Sequence, residues 1–126
     1  MPGPVSDPGF HRSPAQVAGG DGEERAAAHL ASKGLTIVSR NYRTRMGEVD
    51  LVARDGEVLV FVEVRMRKGA GYGGAPASVT FHKQRRIQLA AQMYLRPFRH
   101  PPRCRFDVVA LEGGEVEWIR AAFECA

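Results

Sequence analysis

The sequence has no aspartate or glutamate between Arg65 and Arg105, although its 126 residues include 14 acids. From Arg65 to Arg105 it carries ten lysines and arginines, whereas eight of the acids lie between Asp21 and Glu63. A run of like charge is usually a solvated surface, but with a net charge of +4 this distribution favours a polyanionic partner such as nucleic acid. It argues against an assembly factor that binds no nucleic acid, because that function would leave the acid-free stretch unexplained.

Cysteine is also scarce, and no long apolar run is present. The two cysteines, Cys104 and Cys125, lack the spacing of a disulfide framework or a zinc site, so a reducing cytoplasm is expected. No apolar segment approaches the roughly 18 residues that span a bilayer. The N-terminus lacks the basic head and apolar core of a secretion signal. These absences predict a cytoplasmic protein with no membrane partner.

The composition indicates one globular domain preceded by a tail. Apolar residues make up 44% and charged residues 25% of the chain, which are ordinary values for a globular domain. Residues 1–20 contain four of the eight prolines and four of the 14 glycines, so we expect a disordered N-terminal tail. Residues 21–126 are then expected to form the folded domain.

The domain is expected to begin with a helix that has Asp21 as its N-cap and Gly34 just beyond its C-terminus. Glu23 shares the core-facing stripe of this helix with Ala26 and Leu30. An acid in the first turn often only complements the helix dipole. Glu23 therefore does not identify a functional site by itself.

The central feature of the sequence is a β-hairpin from Gly47 to Arg67. Asp55-Gly56 predicts a two-residue type I′ turn, because both positions of that turn need a positive φ. With this turn Asp50 faces Phe61, and Glu63 lies diagonally across from Asp50 at roughly 7–8 Å. Side chains alternate along a strand, so the hairpin is expected to have one apolar face, formed by Val49, Leu51, Ala53, Val58, Val60, Val62 and Val64. The other face gathers Glu48, Asp50 and Glu63 at the open end of the hairpin, with Glu48 facing Glu63.

The remaining segments complete an α-β-β-β-α-β-β order. They are a strand at Leu35–Arg43, a glycine-rich loop at Lys68–Ala77, a helix capped by Ser78 or Thr80 and ending near Leu95, and strands at Arg103–Leu111 and Val116–Arg120. The loop lacks the Gly-Lys-Ser/Thr ending of a phosphate-binding P-loop. This order predicts an α/β fold with a mixed sheet flanked by two helices.

Asp50 and the run Glu63-Val64-Arg65, with Glu23 on the preceding helix, resemble the active-site pattern of the PD-(D/E)xK nuclease superfamily. Seven blocks also look like the bacterial YraN-like family, which is largely uncharacterised and is grouped with Holliday-junction-resolvase-like nucleases. These blocks, within about residues 19–123, are Gly22-Glu23, Asn41-Tyr42-Arg43, Gly47-Glu48-Val49-Asp50-Leu51, Phe61-Val62-Glu63-Val64-Arg65, Ser78-Val79-Thr80, Lys83-Gln84-Arg85-Arg86-Ile87 and Cys104-Arg105-Phe106-Asp107-Val108-Val109. The resemblance implies a restriction-endonuclease-like core.

The resemblance also implies metal-dependent hydrolysis of phosphodiester bonds in nucleic acid. DNA is favoured over RNA without excluding it, and branched or junction DNA is among the candidate substrates. Asp50 and Glu63, with the carbonyl of Val64, would bind Mg²⁺ or Mn²⁺. Glu23 would bind a second metal ion or support the first, and Glu48 would be a more exposed helper. Resolvases that cut both arms of a junction act as dimers, so a homodimer is implied as well.

The superfamily pattern has lysine where this chain has Arg65. Arginine stays protonated and cannot act as a base, but it can bind phosphate or stabilise a charged transition state. Lys83 would supply the missing ammonium if the start of its helix lies beside Glu63. The residues expected to hold the nucleic-acid backbone are Arg43, Arg67, Lys83 and Arg86. The alternative to a nuclease is a non-catalytic nucleic-acid-binding module on the same fold. Asp107 is expected to be a structural hydrogen-bonding residue.

Overall fold

The computed structural model describes residues 14–66 and 79–124, with side chains described from residue 22 onward. The elements are α1 (Pro14–Ser32), β1 (Thr36–Arg43), β2 (Glu48–Asp55), β3 (Val58–Met66), α2 (Phe81–Leu95), β4 (Cys104–Glu112) and β5 (Glu115–Phe123). This order confirms the predicted α-β-β-β-α-β-β arrangement. The glycine-rich loop and Arg67 lie outside the described residues.

The five strands form one mixed sheet in the order β1-β2-β3-β4-β5. Neighbouring strands are antiparallel except β3 and β4, which run parallel and are linked by the crossover containing α2. A parallel pair needs such a crossover, because a short turn can join only antiparallel strands. The start of α2 therefore follows the carboxyl end of β3, the end that carries Glu63.

The two helices cover opposite faces of this sheet and create two layers of core. Beneath α1 lie buried Leu51, Ala53, Val60 and Val62 from the hairpin. Beneath α2 lie buried Val49, Val52, Leu59 and Phe61. The predicted two-faced hairpin is confirmed except at Val49, which packs with α2 rather than with α1.

The exception at Val49 reflects a break in the strand alternation. Asn41 on β1 lies between the pairs Arg40↔Leu51 and Tyr42↔Val49, and it has φ 53. Asparagine tolerates this left-handed conformation better than most residues. Val49 lies in the layer beneath α2 and Leu51 in the layer beneath α1, although they are only two residues apart on β2.

The prediction that the first helix begins at Asp21 is wrong. Helix α1 begins at Pro14, and proline is favoured at the first helical position because its missing N–H needs no partner there. The expected tail rested on the prolines and glycines of residues 1–20, and each glycine costs a helix interior about 1 kcal/mol relative to alanine. The disordered tail stays a prediction only for residues 1–13, which lie outside the described residues.

The predicted hairpin register is also wrong by two residues. Asp55 pairs with Val58, and Leu51 pairs with Val62, so Gly56 and Glu57 form the turn. Gly56 alone has a positive φ (61), as in a type II′ turn with glycine first. Asp55 stays in the strand, where its carboxylate lies 3.2 Å from the Arg105 guanidinium on β4. A shift of two residues leaves each side chain on its predicted face of the hairpin. It also brings Asp50 closer to Glu63 than predicted.

Asp107 is fully buried, and its role is structural, as predicted. Its carboxylate accepts hydrogen bonds from Arg105 Nε and Nη2, from Trp118 Nε1 and from the Ala121 N–H, at 2.9–3.0 Å. These donors come from β4 and β5, so Asp107 ties the edge strand to the sheet. Over the described parts of the chain, neither helix combines the length and hydropathy needed to cross a membrane.

Candidate functional site

The site forms where β2 separates from β3. The β2–β3 ladder ends at Leu51↔Val62, although β2 remains paired with β1 as far as Glu48↔Arg43. Beyond the last pair, the Val64 N–H donates a hydrogen bond of 2.8 Å to Asp50 Oδ2. The Asp50 carboxylate thus replaces a backbone acceptor at the fork between the two strands.

Asp50 and Glu63 are hydrogen-bonded to each other at this fork. Glu63 is buried, with 7% of its surface exposed. Burial raises the pKa of Glu63 to about 8, and the neighbouring Asp50 carboxylate adds to the increase. Burial also raises the pKa of Asp50, against the opposing hydrogen bond from Val64. Two carboxyl groups in this arrangement share a proton near neutral pH, because both cannot ionise cheaply at such short range.

The first turn of α2 places the Lys83 ammonium beside the pair. Thr80 caps the helix, and its hydroxyl accepts a hydrogen bond of 3.1 Å from the Lys83 N–H. Lys83 Nζ lies 3.8 Å from Glu63 Oε2 and 3.8 Å from Glu48 Oε1. The start of α2 therefore lies beside Glu63, which was the condition for Lys83 to supply the missing ammonium.

Glu48 is held by Arg86, whose Nη2 lies 2.6 Å from Glu48 Oε2. This hydrogen bond lowers the pKa of Glu48, with further help from the charges of Arg86, Lys83 and Arg43. Glu48 is consequently an ionised partner of two helix residues. Arg86, which the sequence assigns to phosphate, is engaged with Glu48 in this structure.

Gly47 allows α2 and the start of β2 to approach so closely. A Cβ atom on Gly47 would overlap the backbone carbonyl of Arg86. Backbone atoms cannot move aside as a flexible side chain can, so only glycine fits this contact. The contact sets the distance across which Glu48 meets Lys83 and Arg86.

The other predicted site residues lie at different distances from the carboxylates of Glu48, Asp50 and Glu63. The charge of Arg65 acts on Glu63, where it lowers the pKa against the larger effect of burial. The C=O of Val64 points to the same side of β3 as its N–H, as in any strand residue, and hence toward Asp50. Arg43 is exposed and lies close enough for its charge to act on Glu48.

Glu23 lies on α1, on the other side of the sheet from Lys83. Its neighbour Gly22 packs against Met66 and Leu111, at the ends of β3 and β4. The role of Glu23 beside Asp50 and Glu63 stays a prediction. Within residues 14–66 and 79–124, no group of three or more Asp, Glu, His or Cys side chains forms a ready-made metal site.

The neutralisation of Glu48 by residues of α2 was not predicted. One signal was available, because Lys83 and Arg86 are three residues apart and so share one helix face. That face contains Ile87 and Ala90, which are buried against the hairpin. A basic pair on the buried side of a helix indicates acids opposite it, and Glu48 and Glu63 are those acids.

Residues 22–111 match the model of the uncharacterised protein family UPF0102. The chain belongs to this family. It is 57% identical over 111 residues to a UPF0102 protein of Cupriavidus necator, which covers 86% of this chain and 84% of the relative. It is 46% identical over 113 residues to a UPF0102 protein of Herminiimonas arsenicoxydans, which covers 90% and 91% of the two chains. A UPF0102 protein of Nitrosospira multiformis is 51% identical over 112 residues, covering 86% and 94%.

The match confirms the predicted membership of the YraN-like family. All the residues of the carboxylate site lie inside the matched range, whereas β5 lies outside it. Since the family is uncharacterised, membership carries no activity with it. The chemistry of this UPF0102 protein has to be argued from the site itself.

Proposed function

We propose that this UPF0102 protein is a metal-dependent nuclease that hydrolyses phosphodiester bonds in DNA, with branched or junction DNA among its substrates. The observation that carries the proposal is the hydrogen-bonded carboxyl pair of Asp50 and the buried Glu63, with the Lys83 ammonium 3.8 Å from Glu63. Such a pair destabilises the sheet that contains it, because burial and like charge both oppose ionisation. A binding or catalytic role accounts for this cost.

The donor set fits magnesium or manganese. These hard cations prefer carboxylate and carbonyl oxygens, and Mg²⁺ is commonly bound by only one or two carboxylates while it keeps several waters. Asp50 and Glu63 supply the carboxylates, and the carbonyl of Val64 is directed toward Asp50. The missing third carboxylate therefore does not count against Mg²⁺. When bound, the ion would supply Lewis acidity toward a phosphate oxygen and a water molecule.

The protein's own groups would bind and orient the phosphate. Lys83 and Arg65 both act electrostatically on Glu63, so a phosphate next to this carboxylate comes within reach of two cations. Arg65 would form a paired hydrogen bond to phosphate oxygens. Lys83 would stabilise the negative charge that develops during cleavage. Arg43 and Arg67 would hold the DNA backbone on either side, and Arg86 would keep Glu48 away from the phosphate.

The second candidate function is nucleic-acid binding without cleavage. One specific observation favours it, namely that Glu48 and Glu63 already have cationic partners in Lys83 and Arg86. Carboxylates neutralised by the protein itself have less need of a metal ion. Arg65, in the position of the superfamily lysine, favours this function as well, because arginine cannot accept a proton.

Cleavage assays decide between the two functions. The purified chain is incubated with linear, flapped and four-way-junction DNA in Mg²⁺, in Mn²⁺ and in EDTA. Asp50→Asn and Glu63→Gln keep the side-chain shapes and should each lower the cleavage rate by at least about 100-fold. Glu57→Gln, an exposed glutamate in the hairpin turn, is the matched control and should cleave normally.

Cleavage that persists in both site variants would contradict the nuclease proposal, because the activity would then come from elsewhere. DNA binding that weakens with salt but is never followed by cleavage would support the binding module. A cytoplasmic location and a homodimer belong to the same proposal. Equilibrium sedimentation with and without junction DNA tests the dimer.

A further inference from the structure

Phe81, the first residue of α2, is 88% exposed. The other exposed large apolar side chains in the described residues are Met46, Met66 and Phe98, and they are 41–54% exposed. An aromatic ring in water forfeits the stabilisation that its burial would bring, and phenylalanine is only a moderate helix former. The fold therefore gains nothing visible from phenylalanine at this position.

Phe81 lies in the same first turn of α2 as Lys83. It follows the N-cap Thr80 and precedes Lys83 by two residues, and Lys83 reaches Glu63. Residues two apart on a helix point in different directions. Lys83 is thus directed into the site, while Phe81 lies on the exposed outer side of the same turn.

Arg85 lies four residues after Phe81 and is also exposed. Side chains at this spacing are neighbours, with Cβ atoms roughly 5–6 Å apart. Lys83 and Arg86 are occupied by Glu48 and Glu63, whereas Arg85 forms no ion pair within the described residues. The outer face of the first turns of α2 therefore presents a bare aromatic ring next to an available guanidinium.

The geometry points to Phe81 and Arg85 as a contact for one unpaired nucleotide beside the cleavage site. A base would stack on the Phe81 ring, and its phosphate would bind Arg85. This inference rests on the proposed function and narrows its substrate to nucleic acid with unpaired or unstacked bases next to the site. In a continuous duplex the base faces are covered by their neighbours, and a wedge such as phenylalanine must first break the stacking.

The absence of acidic residues from the sequence around Arg85 favours an unpaired nucleotide, and not a protein surface, as the ligand. Residues 79–105 contain no aspartate or glutamate, so a phosphate approaching Arg85 meets no acid from α2 or from the segment that follows it. An apolar protein partner would match Phe81 but would leave Arg85 desolvated and unpaired, which is costly. An unpaired nucleotide satisfies both side chains.

Binding assays on the full chain test the inference without depending on cleavage. Fluorescence anisotropy in EDTA compares labelled single-stranded, flapped and fully duplex DNA. Phe81→Ala should weaken binding to single-stranded and flapped DNA by about 5- to 100-fold, since one stacked base contributes that much, and should change duplex binding less than twofold. Phe81→Trp should restore the preference. Arg85→Met should weaken the same complexes and reduce their salt dependence by about one phosphate contact.

Phe98→Ala is the matched control, because Phe98 is an exposed aromatic residue just beyond the opposite end of α2. It should leave the preference for unpaired DNA unchanged. The inference is overturned if Phe81→Ala weakens all three DNA shapes equally or none of them. It is also overturned if Phe81→Ala only converts a dimer into a monomer on sizing, because Phe81 would then contact a second copy. A chain that binds no DNA of any shape overturns the proposed function as well, so the two failures are distinguishable.

Discussion

Lys83 Nζ lies 3.8 Å from Oε2 of Glu63, although a glycine-rich loop separates the two residues in sequence. The backbone of Lys83 helps to fix its position, because the Lys83 N–H donates a hydrogen bond to the hydroxyl of the N-cap Thr80. The helix cap and the site are therefore coupled through one residue. An ammonium that the superfamily pattern would place on β3 comes here from α2.

Replacement of Lys83 should separate catalysis from folding. Lys83→Met removes the ammonium next to Glu63, and the cleavage rate should fall by about 100- to 1,000-fold, as for the loss of one preorganised group at a developing charge. Lys83→Arg should retain part of the rate. The measurement is single-turnover cleavage of junction or flapped DNA, with Lys33→Met, an exposed lysine after α1, as the control. A normal rate in Lys83→Met would contradict the assignment.

Glu63 should make the metal-free protein less stable as the pH rises. Its pKa in the folded state is about 8, above the ordinary carboxyl value near 4.3 in an unfolded chain. The folded state therefore binds more protons over this interval, so the contribution of Glu63 to stability is fully present below about pH 4.3 and is lost as the pH rises to 8. The loss has an upper bound on the order of 5 kcal/mol.

Glu63→Gln should abolish most of this slope, because an amide mimics the protonated acid and can still donate a hydrogen bond to Asp50. Urea unfolding in EDTA at pH 5, 6, 7 and 8 measures how the free energy of unfolding depends on pH. The variant should match the natural chain at pH 5 and exceed it at pH 8. Parallel curves for the two proteins would show that Glu63 does not retain its proton in the folded state.

Metal binding should strengthen as the pH approaches 8. A divalent cation competes with the proton shared by Asp50 and Glu63, so each pH unit below the pKa of Glu63 should weaken the apparent Mn²⁺ affinity by about tenfold. Calorimetric titration with Mn²⁺ at pH 6, 7 and 8 checks this. Asp50→Asn should bind weakly at every pH. An affinity that is independent of pH in the natural chain would place the ion away from this pair.

Gly47→Ala should destabilise the protein by about 1–3 kcal/mol, the usual cost of forcing extra atoms into a packed contact. The new methyl group would overlap the Arg86 carbonyl and would push α2 away from Glu48. Cleavage should fall as well, because Lys83 would move with the helix. Gly114→Ala is the matched control, since a Cβ there meets no atom within 4 Å. Gly47→Ala should have a lower unfolding temperature and a lower cleavage rate than Gly114→Ala.

The order of the elements and the two faces of the hairpin follow from local sequence alone. Alternation along β2 and β3 places Val52, Leu59 and Phe61 on one side whatever the exact turn, because a shift of two residues leaves every side chain on its own face. Thr80 and the stretch after it identify a capped helix in the same way. These features depend on neighbours in the chain, so a single sequence is sufficient to predict them.

Only the tertiary structure decided how the site is assembled. Asp55 lies in β2 as the ion-pair partner of Arg105 instead of in the turn, and the Val64 N–H bonds to Asp50 beyond the last pair of the β2–β3 ladder. The parallel crossover brought Lys83 and Arg86 over Glu63 and Glu48. The sequence by itself determined that acids gather at one end of a hairpin. Contacts between residues far apart in the chain decided which of them are neutralised by the protein and which share a proton.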